Sequence, residues 1–220
     1  MPRAVISDLA GTIIRDDGVV LAAFADALEE VDSEASPQQR ERQLVVAVET
    51  MGQSKIEVFR QLFVDERLVD RALRSFETHV LDRVADITAL PGVDEVISSW
   101  REEGVRVGVT TGFSRELVDA LLTHLGWEHL LPYSATPAEA GAGRPDPAML
   151  RQVMALLGIS DPTEVIVVGD TASDMEAGKR FGAGRVVGVL SGAHDERTLL
   201  AAGADVVVSD VTHVDALLRG

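Results

Sequence analysis

The sequence predicts an α/β fold in which a parallel β-sheet carries helices on both faces. Two observations lead to this class. Short apolar runs rich in β-branched residues alternate with longer segments of helical periodicity, an order typical of β–α–β units. The runs are continuously apolar rather than alternating, which indicates strands that are buried on both faces. The predicted strands span residues 3–7, 105–110, 164–169, 185–190 and 204–208.

Helical patterns connect these strands. Ser114 is placed to cap one of them, and Asp146-Pro147 followed by Gly158 supplies the start and stop signals of another. The predicted helices of the sheet domain span residues 92–104, 114–126, 146–158, 172–182 and 195–203.

One long segment interrupts the alternation and predicts a second domain. Residues 17–88 contain no convincing strand but carry four helical patterns, separated in part by Pro37 and Gly52. We therefore expect an all-helical cap domain at 17–88, inserted into a Rossmann-like core formed by residues 1–16 and 89–220. The predicted cap helices and hinges span 19–32, 38–50, 55–63 and 66–85, with hinges near 15–18 and 88–92.

Composition excludes several classes of protein. The 220 residues carry a formal charge of −16, which argues against nucleic acid or an anionic membrane as a partner. The absence of cysteine excludes disulfides, thiolate metal sites and a cysteine nucleophile. The first residues do not resemble a signal peptide, and no stretch approaches the roughly 18 apolar residues of a membrane span. We therefore expect a cytoplasmic protein that acts on a small molecule.

The first cap helix leaves the oligomeric state open. Leu21, Phe24 and Leu28 lie on one apolar face of this helix. Such a face either pairs with a second subunit, giving a homodimer, or packs against the other helices of the cap.

Polar residues follow three of the predicted strands, at the edge of a parallel sheet where ligands bind. Asp8 ends the first strand, Thr111 follows the second, and Asp170 and Asp174 follow the third. A carboxylate at a sharp turn can attack phosphorus, and paired carboxylates suit Mg²⁺. Taken singly, each of these acids is equally explained as the cap of a turn or a helix.

Two further motifs offer binding groups for phosphoryl oxygens. Thr110-Thr111-Gly112 provides a hydroxyl and backbone N–H groups at a strand end. Arg144, in a glycine-rich loop ahead of a helix, provides a cation that can bind such oxygens bidentately.

Together, in their order and placement, these motifs resemble those of the haloacid dehalogenase superfamily, and the resemblance covers the whole chain. It implies an aspartyl-phosphate formed on Asp8, oxyanion binding by Thr111 and Gly112, and Arg144 in place of the usual lysine. It also implies that Gly11 and Thr12 border the substrate. The implied Mg²⁺ ligands are Asp8, the carbonyl of Ala10, Asp170 and Asp174, the last directly or through water.

The residue at position 10 separates two kinds of reaction. Most phosphatases of the superfamily have a proton-transferring Asp there, and the methyl group of Ala10 cannot move protons. The Asp-x-Ala-Gly-Thr pattern with Arg144 is similar to that of phosphonoacetaldehyde hydrolase, whose leaving group is carbon. The cap motif of that family, Met-Gly-x-x-Lys-Ile, matches residues 51–56. The resemblance thus implies a Schiff base on Lys55, with Met51 and Gly52 beside the substrate.

Local chemistry supports the role of Lys55 only in part. Ser54 and Glu57 form a capping-box pattern that would place Lys55 at the first helical position. The helix dipole there contributes only about 0.3–1 kcal/mol against the ammonium, so burial must supply most of any lowering of its pKa. The sequence also departs from the family pattern: Val58 and Phe113 stand where a histidine and a tyrosine are expected.

Three functions stay open. The first is Mg²⁺-dependent cleavage of the C–P bond of a 2-oxo-phosphonate, which is phosphonoacetaldehyde or a relative. The second is hydrolysis of a small organic phosphate monoester, with Lys55 only binding substrate. The third is a phosphometabolite-binding domain with a degenerate site, which the three retained acids disfavour.

Overall fold

The computed structural model describes residues 2–218 and has a six-stranded, fully parallel sheet of order β5-β4-β1-β6-β7-β8. The predicted α/β class is therefore confirmed. In chain order the strands are β1 (Ala4–Asp8), β2 (Ile14–Arg15), β3 (Thr88–Ala89), β4 (Arg106–Thr110), β5 (Ser134–Ala135), β6 (Val165–Gly169), β7 (Arg185–Val189) and β8 (Val206–Val208).

Helices cover the sheet and fill the insertion. They are α1 (Val19–Val31), α2 (Pro37–Glu49), α3 (Lys55–Leu62), α4 (Glu66–Asp82), α5 (Val93–Glu102), α6 (Arg115–Leu125), α7 (Pro137–Ala140), α8 (Ala148–Leu156), α9 (Ala172–Phe181), α10 (Glu196–Ala201) and α11 (Asp215–Leu218). Ser114 caps α6 as expected, its hydroxyl accepting from the Leu117 N–H. No helix within residues 2–218 combines the length and the apolarity needed to cross a bilayer.

The central strands β1, β4 and β6 are almost entirely buried, as their continuous apolar runs predict. Their registers align Asp8 with Thr110, and Ser7 with Val168. The three strands therefore end side by side at one edge of the sheet. The polar residues that directly follow these strands, including Thr111 and Asp170, therefore lie near one another.

Helices α1–α4 lie between β2 and β3 in the chain, and α1, α3 and α4 share an aromatic centre. The ring of Phe24 lies 5.1 Å from that of Phe59 and 4.7 Å from that of Phe76. Phe24 and Leu28 are fully buried in this centre, so they pack within the cap and not on a second subunit, and only Leu21 of that face is exposed. We keep the name cap for residues 17–88; its boundaries stay predictions.

The two connections between core and cap form a small sheet that the sequence does not predict. Strand β2 pairs antiparallel with β3, with Ile14 opposite Ala89 and Arg15 opposite Thr88. Thr88, expected in an irregular hinge, is thus a strand residue. This pairing holds the two linkers together next to the end of β1.

Candidate active site

Most of the residues that the sequence singles out line one cavity of about 320 Å³ between core and cap. Thr12 and Asp174 stand behind its wall, each in contact with a lining residue. The cavity is small, which suits a substrate of a few heavy atoms. The predicted residues that line it are Asp8, Ala10, Gly11, Met51, Gly52, Lys55, Thr111, Gly112, Arg144 and Asp170.

Asp8, Arg144 and Asp174 form a buried ionic group. The Nη1 of Arg144 lies 2.6 Å from Oδ1 of Asp8 and also contacts Oδ1 of Asp174. The side chains of Arg144 and Asp8 are only 3% and 5% exposed. The Nε of Arg144 is buried and donates to no atom of residues 2–218. An unpaired buried donor is unfavourable, and a ligand oxygen would offset that penalty.

Burial dominates the electrostatics of the two lining carboxylates. It raises the pKa of Asp8 to about 8, against the opposing effect of Arg144. It also raises the pKa of Asp170 to about 6, and the charge of Asp174 adds to that rise. A bound cation would favour the ionised forms of both groups.

Asp170 is held from two directions. The hydroxyl of Thr12 donates to its Oδ1 at 3.0 Å, and the N–H of Ala193 donates to its Oδ2 at 2.8 Å. The loop after β7 also reaches the nucleophile turn, because the Ser191 hydroxyl donates to the Gly11 carbonyl at 2.7 Å. This loop belongs to the site although no motif predicts it. The only signal in the sequence is Ser191-Gly192 directly after a predicted strand.

The donor set fits a divalent cation with two carboxylates, not three. Asp8 and Asp170 line the cavity together with Ala10. In Asp174, by contrast, both oxygens already have partners. Its Oδ1 contacts Arg144, and its Oδ2 accepts hydrogen bonds from the Thr171 N–H at 3.1 Å and from the Thr171 hydroxyl at 2.5 Å. Within residues 2–218 no three acidic or histidine side chains are grouped to hold a metal by themselves. The metal role of Asp174 therefore stays a prediction.

Lys55 is buried at the start of α3 and lines the same cavity. Its Nζ lies 5.5 Å from the ring centroid of Phe24 and 5.9 Å from that of Phe113. Burial, and after it the positive charge of Arg144, lower the pKa of Lys55 to about 8. With this pKa roughly a tenth of the amine is neutral at pH 7, and the neutral form is the nucleophile.

The predicted capping box ahead of Lys55 is wrong. Ser54 occupies the N-cap position, but its side chain accepts no hydrogen bond from the helix. Glu57 instead pairs with Arg60 one turn later at 2.6 Å. The position of Lys55 as the first helical residue is confirmed, and burial accounts for its pKa, as the small dipole contribution requires.

Glycines allow the cap to lie directly on the core. A Cβ on Gly52, which has φ +83°, would stand 2.4 Å from the Thr171 hydroxyl. A Cβ on Gly112 would stand 2.4 Å from the Gln53 carbonyl oxygen. The absence of a side chain at each glycine thus lets cap and core approach closely at these points, next to the cavity that Lys55 lines.

The comparisons with known proteins agree with this fold and with the motifs. The profile of the haloacid dehalogenase-like hydrolases matches residues 2–182. A phosphonoacetaldehyde hydrolase of Bacteroides fragilis is 30% identical over 209 residues, which is 77% of this chain and 80% of the relative.

Two solved structures share the fold. A phosphonoacetaldehyde hydrolase-like protein from Oleispira antarctica superimposes with a TM-score of 0.84 at 22% identity, over 99% of this chain and 91% of that one. A predicted phosphoglycolate phosphatase from Haemophilus somnus superimposes with a TM-score of 0.81 at 18% identity, over 100% of this chain and 98% of the other. Family match and fold together make this chain a hydrolase of the haloacid dehalogenase-like family.

Proposed function

We propose that the protein cleaves the C–P bond of a small 2-oxo-phosphonate, phosphonoacetaldehyde or a close relative, with Mg²⁺ as cofactor. The observation that carries this proposal is that Lys55, a buried amine with a lowered pKa, lines the same small cavity as the strand-end carboxylate Asp8. The similarity to the Bacteroides fragilis phosphonoacetaldehyde hydrolase supports it.

The amine and the carboxylate have separate tasks in this reaction. The Lys55 nitrogen adds to the carbonyl carbon of the substrate, and loss of water leaves a protonated imine. Asp8 then attacks phosphorus, and the electron pair of the C–P bond moves toward the iminium, which becomes an enamine. Water later hydrolyses the phosphoryl group from Asp8, and hydrolysis of the enamine after reprotonation frees Lys55. Covalent catalysis thus divides one difficult cleavage into easier steps.

The remaining residues bind and orient the phosphoryl group. Thr111 and Gly112 line the cavity at the end of β4, where a hydroxyl and backbone N–H groups can donate hydrogen bonds to negatively charged oxygens. Arg144 contacts Asp8 and has an unpaired Nε. Asp8 and Asp170, with the Ala10 carbonyl, would hold Mg²⁺. The ion supplies positive charge that offsets repulsion between the carboxylate and the phosphoryl oxygens.

Ala10 disfavours the alternative of phosphomonoester hydrolysis. An alkoxide leaving group needs a proton, and Ala10 lines the cavity at the position where related phosphatases carry an acid. A carbon leaving group stabilised as an enamine needs no acid at that place.

The test compares phosphate release from phosphonoacetaldehyde and from a phosphomonoester of similar size, with and without Mg²⁺. We expect Mg²⁺-dependent release from the phosphonate by the wild type and only background release by Lys55→Arg, which keeps the charge but cannot form the imine. Lys179→Arg is the matched control, because Lys179 is the only other lysine and pairs with Asp205 on the surface. Near-wild-type release by Lys55→Arg, or release from the ester alone, would contradict the proposal.

A further inference from the structure

Imine formation at Lys55 needs a proton carrier, and the expected ones are missing. Val58 and Phe113 occupy the positions where the resemblance predicts a histidine and a tyrosine, and both are buried and apolar. The rings of Phe24 and Phe113 border the amine. The other titratable side chains that line the cavity are therefore the candidates for moving the protons.

Most titratable groups of the cavity are already engaged. Asp8 pairs with Arg144, and Asp170 accepts hydrogen bonds from Thr12 and Ala193.

Two more charged residues at the cavity mouth, Arg15 and Asp17, pair with each other at 3.0 Å. Their side chains are 57% and 58% exposed. Asp16, between them in sequence, also lines the cavity and makes no ion pair with any of the residues 2–218.

Asp16 lines the same cavity as Lys55 and is held in place by a backbone hydrogen bond. It follows β2 and is half-buried. The Val20 N–H donates to its Oδ2 at 2.9 Å, which ties the carboxylate to the first turn of α1. Its charge acts on the Lys55 amine, opposing the lowering of the Lys55 pKa. The second oxygen of Asp16 accepts no hydrogen bond from the side chains and backbone of the described part of the chain.

We propose that Asp16 is the proton carrier for imine formation at Lys55, an inference that rests on the proposed C–P hydrolase function. The proton balance is complete with these groups alone. Of the three protons of the Lys55 ammonium, one stays on the iminium nitrogen. Asp16 accepts the other two in turn and delivers each to the carbonyl oxygen. The C–N bond forms, the C–O bond breaks, one water leaves, and Asp16 ends as the carboxylate it was.

The test measures the rate at which a borohydride-reducible adduct accumulates after mixing enzyme with phosphonoacetaldehyde. Asp16→Asn keeps an acceptor for the Val20 N–H but cannot carry protons. We expect adduct formation about 10²-fold slower than in the wild type, in the range typical of a positioned acid–base group, with the same final extent. Asp17→Asn is the control, and we expect it to match the wild type.

A second variant separates proton transfer from a structural role. In Asp16→Ala, added formate should restore the rate in proportion to its concentration, which a hinge defect would not allow. An unchanged rate in Asp16→Asn, or no response of the slowed Asp16→Ala to formate, overturns the role of Asp16 and leaves the proposed function standing. Absence of any adduct in the wild type overturns both.

Discussion

Replacing Lys55 by methionine should make the protein more stable at neutral pH. Folding lowers the pKa of this amine from 10.5 to about 8, mainly by burial, and the difference corresponds to about 3 kcal/mol. Below pH 8 the amine is charged in both the folded and the unfolded chain, so the whole penalty acts on the folded state. It declines as the pH rises from 8 to 10.5 and is absent above that range. Methionine has a similar length and no charge, so Lys55→Met removes the penalty.

Urea unfolding of wild type and Lys55→Met, without added metal, measures this difference. We expect the variant to be more stable by about 3 kcal/mol at pH 7, with the gain shrinking toward zero above pH 10.5. Lys179→Met is the control: Lys179 is exposed and paired on the surface, so little change is expected at either pH. A variant that is less stable at pH 7, or a gain that persists undiminished at high pH, would refute the buried-charge reasoning.

Two further predictions concern the cap contact and the metal ligand. Gly52→Ala places a Cβ 2.4 Å from the Thr171 hydroxyl, so turnover should fall at least tenfold. The control is Gly104→Ala, which has similar backbone strain at φ +85° but nothing within 4 Å and should lose stability only. Equal turnover in the two variants would disprove the cap contact. Thr12→Val removes the hydrogen bond to Asp170 and should raise the Mg²⁺ concentration needed for half-maximal activity by about 10–100-fold; an unchanged Mg²⁺ titration would contradict the ligand role of Asp170.

Sequence patterns predicted what depends on long apolar runs and on strand ends. Strands β1, β4 and β6 are buried on both faces, and burial leaves a continuous apolar signature. Because parallel strands end at one edge, the same patterns predicted that Asp8, Thr111 and Asp170 would meet. The family resemblance then directed attention to Lys55.

Features that depend on distant partners left no such signal. Strand β5 has two residues, Ser134 and Ala135, and exists because β4 lies beside it. The pairing of β2 with β3 joins segments more than seventy residues apart. The failed capping box has a local cause instead, since Glu57 pairs with Arg60 three residues later. Asp16 lacked any motif, and only the shared cavity brings it near Lys55.

The most direct test of the central claim is to locate the covalent bond between enzyme and substrate. The protein is incubated with phosphonoacetaldehyde, reduced with borohydride, digested and mapped by mass spectrometry. With only two lysines in the chain, the assignment is unambiguous: we predict a stoichiometric two-carbon adduct on Lys55 and none on Lys179. Phosphate release without an adduct on Lys55 would contradict the account.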